Sequence, residues 1–187
     1  MSRSCAPVTA FAIAALVLVP ARSLAEVADS SAGGFTVKTT LNIQAAPGDV
    51  YRRMIRNIGD WWDSAHTFSH DAHNLSIEEK PMGCFCENLP NQGGVRHMEV
   101  VFVAPGKALV MTGGLGPLQS LAVSGSMSIE LSPVAGGTKL DLTYAVGGYV
   151  PAGLNTWATP VDSVLQQQFT RLKNYVERGD AAKPAPR

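Results

Sequence analysis

Three stretches of this chain carry side chains that could do chemistry. Trp61-Trp62-Asp63-Ser64-Ala65-His66 sets a carboxylate three positions before an imidazole, beside two indoles. Imidazole titrates near neutral pH and a carboxylate can orient it, so Asp63 and His66 form a candidate acid–base couple. The same two residues would also serve as turn caps. His66, His70, Asp71 and His73 then fall within eight positions. Imidazoles and carboxylates suit Zn²⁺ or Cu²⁺, but this spacing matches no metal signature, and a solvated loop explains it as well. No metal and no cofactor is expected. In residues 95–103, His97 and Glu99 share one face of an alternating segment, opposite Met98, Val100 and Phe102. Turned inward, His97 and Glu99 would be an acid–base pair with pKa values shifted by burial. The simpler arrangement buries the apolar trio and leaves His97 and Glu99 in water.

Cys84 and Cys86 stand in Gly83-Cys84-Phe85-Cys86-Glu87. On a regular strand their Cβ atoms lie roughly 6–7 Å apart, beyond the roughly 3.5–4.5 Å that a bridge needs. Unbridged thiols behaving as small apolar residues are therefore expected. A disulfide would require a local kink or a second chain, and a redox role stays open.

The elements that must position these residues follow from apolar periodicity. Phe35–Ile43 alternates, with Phe35, Val37, Thr39, Leu41 and Ile43 on one face. Ala46-Pro47-Gly48-Asp49 opens a short helix whose apolar face is Val50, Tyr51, Met54, Ile55 and Ile58, ended by Gly59. Short strands are expected at 75–79, 84–87, 95–103 and 107–112, followed by two long alternating strands at 121–131 and 138–146. Thr159-Pro160-Val161-Asp162 reads as the start of a final helix closed by Gly179. Its stripe is Val161, Val164, Leu165, Phe169, Leu172, Tyr175 and Val176. Strands bracketed by helices indicate an α+β fold. The expected architecture is a curved antiparallel sheet of about six to seven strands wrapped around the long C-terminal helix, with a short helix after the first strand.

A concave sheet gripping one helix leaves room for a small molecule. Candidate ligand contacts are Trp61 and Trp62, Met98, Val100 and Phe102, Met127 and Tyr144 on the long strands, and Leu165 and Phe169 on the helix. Two apolar loops, 113–118 and 147–157, add Leu115, Leu118, Tyr149 and Trp157 as a rim, a cover for the sheet's end or a contact between chains.

The chain has 187 residues, with 15 basic and 15 acidic side chains. Residues 1–25 read as an export signal: Arg3, an apolar run Ala6–Val19, then Ser23-Leu24-Ala25 as the cleavage site. The run is short for a membrane span, so no stable insertion after cleavage is expected. Residues 26–34 read as a flexible leader, 35–179 as one domain and 180–187 as a disordered tail. Without Arg3 and Arg22 the balance is 13 basic against 15 acidic residues, a formal charge of −2. No basic cluster suggests nucleic acid.

The order strand, helix, meander, long helix resembles the START-like, or SRPBCC, helix-grip superfamily over residues 35–178. Ala45-Ala46-Pro47-Gly48-Asp49-Val50-Tyr51 is similar to that superfamily's helix opening. Gly59-Asp60-Trp61-Trp62-Asp63-Ser64-Ala65-His66 and Gly83-Cys84-Phe85-Cys86-Glu87 resemble segments of its bacterial polyketide cyclase- and dehydrase-like members. The superfamily also holds lipid-transfer domains and Hsp90-ATPase-activator homologues. The resemblance implies a deep apolar cavity for a lipid, sterol, polyketide or aromatic molecule, and implies no shared reaction. The expected function is an exported, periplasmic or secreted protein binding a hydrophobic small molecule. A cyclase, dehydrase or hydrolase using the same cavity is the alternative, and an interaction module using the apolar loops is a third. An Hsp90-activator role fits poorly with export, and the oligomeric state is left open.

Overall fold

The computed structural model describes residues 24–182; residues 1–23 of the expected signal and 183–187 of the expected tail lie outside that range. Eight strands form one curved, unclosed antiparallel sheet against a long C-terminal helix. The strands are β1 (Leu24–Ser31), β2 (Gly34–Ile43), β3 (Leu75–Ile77), β4 (Cys84–Leu89), β5 (Gly93–Ala104), β6 (Ala108–Thr112), β7 (Ala122–Val134) and β8 (Gly137–Tyr149). Their spatial order is β1-β2-β8-β7-β6-β5-β4-β3. The chain crosses from β2 to β3 at the far edge, and the meander returns strand by strand until β8 pairs with β2.

The surplus over six to seven strands includes β1, in the stretch expected as a flexible leader. A two-residue turn at Ala32-Gly33 folds it back along β2, pairing Val27 with Val37. An edge strand needs little beyond backbone hydrogen bonds on one side, so its small, polar composition hid it. Val27 still packs against the core.

In β2, β7 and β8 the expected alternation holds. Phe35, Val37, Leu41 and Ile43 are buried on β2, and Leu140, Leu142, Tyr144 and Val146 on β8. The first helix, α1 (Pro47–Arg56), has Pro47 at its start, Asp49 in its positive first turn, and Arg53 and Arg56 in its last. It buries Val50, Tyr51, Met54 and Ile55. A single further turn, α2 (Ile58–Trp61), leads into the tryptophan segment.

The last helix, α3 (Asn155–Arg178), begins four residues before the expected cap at Thr159, so Pro160 lies inside it. Burial explains the extension. Leu154 and Ala158 are nearly inaccessible and Trp157 packs on the core, so the added turn covers apolar surface. Pro160 lies past the first turn, so its missing N–H takes one bond out of the ladder, a cost that burial of the added turn offsets. Gly179 ends the helix in the left-handed conformation (φ 74°), donating its N–H to Tyr175 O at 2.8 Å. Leu165, Phe169, Leu172 and Val176 are the buried stripe. Ala181, in the expected tail, is buried too and accepts a hydrogen bond from Asn174.

On β5 the alternation breaks twice. Phe85 pairs with Met98 but Cys86 with Arg96, so His97 is an extra residue; Val100 pairs with Met111 but Phe102 with Val110, so Val101 is another. Each bulge reverses which face the next side chain takes. His97 and Met98 are consequently both buried, and Phe102 turns outward at 52 % exposure. The expected inward trio loses Phe102, and the expected wet His97 moves inside.

Opposite the first bulge, β4 is kinked. Cys84 and Cys86 are joined by a disulfide, with Cα atoms 5.3 Å apart. Two steps of a regular strand would span roughly 6.4–6.8 Å. The expectation of free thiols assumed a regular strand, and the irregular register removes that assumption.

Candidate functional site

α3 lies closest to β1 and β2. Away from that edge, a cavity of about 300 Å³ opens between the first half of α3, the 62–68 segment and the β3–β5 side of the sheet. Trp157, Pro160, Val161, Val164 and Leu165 line it from the helix. Leu75, Phe85 and Tyr144 come from the strands, and Leu115 to Leu118 from the loop after β6. The wall is therefore mostly apolar.

Tyr144 holds that loop in place. Its hydroxyl accepts the Leu115 N–H at 3.0 Å and donates to Gly113 O at 3.1 Å. Burial, partly offset by the Leu115 hydrogen bond, pushes the phenol up to about 12, so it remains a donor. Two glycines make the arrangement possible. A Cβ at Gly125 would lie 2.6 Å from the Tyr144 ring, and Gly113 adopts φ 142° where a Cβ would press on His97 O at 3.0 Å.

The polar part of the wall centres on His97. Its Nε2 lies 3.0 Å from Glu87 Oε2, with exposures of 4 % and 0 % for the two side chains. Glu87 also accepts the backbone N–H groups of Phe68, at 3.1 Å, and Ser69. Burial alone would raise the Glu87 carboxyl, but hydrogen bonds from Ser69, Phe68 and His97 outweigh it and hold the pKa below its ordinary value. Burial likewise lowers His97, against the opposing pull of Glu87. A carboxylate can only accept, so a neutral His97 must carry its proton on Nε2. Nδ1 is then a bare acceptor, buried without a hydrogen-bond partner among the described residues. Phe68 stacks on the imidazole with centroids 5.9 Å apart, and Phe85 lies 5.0 Å away.

Asp63 and His66 do not form the expected couple. Asp63 caps the turn through Ala65 N–H at 3.0 Å and accepts from Gln167 Nε2 at 3.0 Å. His66 Nε2 reaches the same amide's Oε1 at 3.4 Å. Gln167 thus separates the two; His66 borders the cavity and Asp63 does not. Among the described residues, no group of three or more His, Cys, Asp or Glu side chains could hold a metal. His73 instead lies 4.0 Å from Asp60.

The cavity brings together Trp62, Leu115, Leu118, Tyr144, Trp157 and Leu165 of the expected contacts. Trp61 and Phe169 pack against one another in the core with tilted rings, at 5.8 Å between ring centroids. Met98, Val100 and Met127 are core residues, while Phe102 and Tyr149 face outward. Sequence reasoning missed Glu87: it expected His97 in water, with Glu99 as its partner only if that face turned inward. Glu99 instead meets Arg96 at 2.9 Å. The signal that could have found Glu87 is its place in a segment kinked by two cysteines, on the same side as Phe85.

No protein-family model matches the chain, and no curated protein does. Solved structures do. A Mesorhizobium loti protein superposes with TM-score 0.57 at 19 % identity, over 78 % of this chain and 98 % of its own. A Staphylococcus saprophyticus protein gives 0.57 at 13 %, over 80 % and 97 %. The Aha1 dimer from Colwellia psychrerythraea gives 0.53 at 14 %, over 77 % and 97 %. Identities this low speak to architecture alone. What they support is an antiparallel sheet with a C-terminal helix, consistent with a helix-grip fold.

Proposed function

We propose that this protein binds an apolar small molecule in the cavity between the sheet and α3, and that it does so after export. The observation that carries the binding reading is the cavity's wall. It is built largely from apolar side chains of the strands, the 115–118 loop and the helix, with few polar groups among them. At about 300 Å³ it is at the small end of ligand sites, which suits a molecule of one to three rings or a short chain. Export rests on the sequence of residues 1–25.

Native mass spectrometry of the protein purified from its own host tests both parts. The expected result is a chain beginning near Glu26 that carries a small apolar adduct, released on denaturation. Val164→Trp, which fills the cavity from the helix side, is expected to lose the adduct while keeping the fold. A full-length chain counts against export, and an empty wild-type protein across independent purifications counts against binding.

A further inference from the structure

The cavity's polar chemistry narrows the ligand class. Thr67 Oγ1 donates to Ser64 O at 2.8 Å, the Trp62 indole donates to His66 O at 3.1 Å, and the Tyr144 hydroxyl is doubly engaged. Of the residues that line the cavity, His97 is the one with a buried side-chain atom lacking any hydrogen-bond partner among the described residues. That atom, Nδ1, is an acceptor, because ionised Glu87 accepts a hydrogen bond from Nε2 and so keeps the imidazole proton there. An unmet acceptor in an apolar surround costs free energy that a suitable ligand would recover.

We propose that His97 Nδ1 is the specificity-determining acceptor of this cavity, and that its ligand is an apolar ring compound bearing one hydrogen-bond donor, such as a hydroxyl. The proposal rests on the cavity-binding reading above. Glu87 has two parts in it. It fixes the tautomer through Nε2, and it pins the Phe68-Ser69 backbone so that the Phe68 ring stays over the imidazole. A ligand lacking a donor would leave Nδ1 as it is. A ligand offering only an acceptor would set two lone pairs against each other, which the site disfavours. The geometry selects for a donor and against a carboxylate.

Binding of two fluorescent probes to the full chain tests this: 2-naphthol, which can donate, and 2-methoxynaphthalene, which cannot. Wild-type protein is expected to bind 2-naphthol about tenfold or more tightly than the ether, the scale of one buried hydrogen bond with its desolvation penalty. In His97→Gln the amide can still donate to Glu87, but no acceptor stands where Nδ1 was. That variant is expected to hold both probes within about threefold of one another, near the wild-type affinity for the ether. The ¹⁵N spectrum of histidine-labelled wild-type protein supplies a readout that does not depend on any variant folding. The Nδ1 resonance is expected to move upfield with 2-naphthol and to stay in place with the ether. Equal affinities in wild type, or an unmoved Nδ1 resonance with bound 2-naphthol, overturn the donor requirement and leave the cavity reading standing. Failure of wild type to bind either probe removes both.

Discussion

His66 and His97 border the same cavity, yet the fold treats them in opposite ways. His66 is exposed and meets the Gln167 amide at 3.4 Å, a long contact that water can replace. His97 is enclosed between two phenylalanines with a carboxylate at 3.0 Å. The richer local motif, two tryptophans with an aspartate and a histidine, surrounds the loosely held imidazole. The tightly held one lies in a strand whose pattern assigned it to solvent. What separates them is a bulge, since the extra residue in β5 is His97 itself. Preorganisation here comes from register and burial, and proximity in sequence contributes little.

The contrast breaks most sharply at Glu87. Glu87→Ala strands the Phe68 and Ser69 N–H groups and the His97 Nε2–H together. A loss of about 3 kcal/mol or more is expected in denaturant unfolding. His66→Ala should cost within about 0.5 kcal/mol, as for an ordinary surface position. Comparable losses at the two sites would mean that Glu87 is not the organising group.

Acidification comes next. His97 is held below its ordinary value of 6.5, so between the two values the unfolded chain binds a proton that the folded chain does not. Stability therefore rises with pH across that window and falls as pH drops below about 6.5. Glu87, held below 4.5, adds a further loss as pH falls through and below that value. The signs agree, so urea midpoints should fall steadily from pH 7 to pH 4. In His97→Gln the upper part of that slope, just below pH 6.5, should flatten. An unchanged slope would show that His97 titrates as if exposed.

The Cys84–Cys86 bridge sharpens the comparison from the strand side. It spans the kink that carries Phe85 to the cavity and Glu87 to His97. So short a loop restricts the unfolded chain little, and replacing both cysteines by serine should cost about 1.5 kcal/mol. If the kink depends on the bridge, the serine variant also loses the difference between the two naphthalene probes. If the β5 bulge alone shapes the segment, only stability changes.

Most of the fold could be read from periodicity, and the exceptions share a physical cause. β2, β7 and β8 pair residue for residue across their length, so side-chain period and burial agree. The stripe on α3 and the cap at Gly179 followed in the same way. β1 escaped notice because edge pairing leaves only a weak apolar signature. Phe102 and His97 were assigned to the wrong faces because alternation cannot announce where a residue is inserted. The cavity wall was half legible. Leu115, Leu118 and Trp157 stood out as apolar side chains in loop-like sequence, whereas the Glu87–His97 pair depends on a cross-strand register that no single segment encodes.

Asp63 tests the other side of the comparison, with the smallest expected effect. Its carboxylate caps Ala65 N–H, accepts from Gln167, and lies 4.0 Å from Arg171 Nη1 with about a quarter of each side chain exposed. Asn retains an oxygen for the cap, and a long, partly solvated ion pair contributes little. Asp63→Asn should therefore change stability by no more than about 1 kcal/mol, with the affinity for 2-methoxynaphthalene within about twofold of wild type. Calorimetry and fluorescence titration read the two quantities separately. A large affinity loss with intact stability would return Asp63 to the site, and the Gln167 bridge would then be a relay to His66 rather than a spacer between two surface groups.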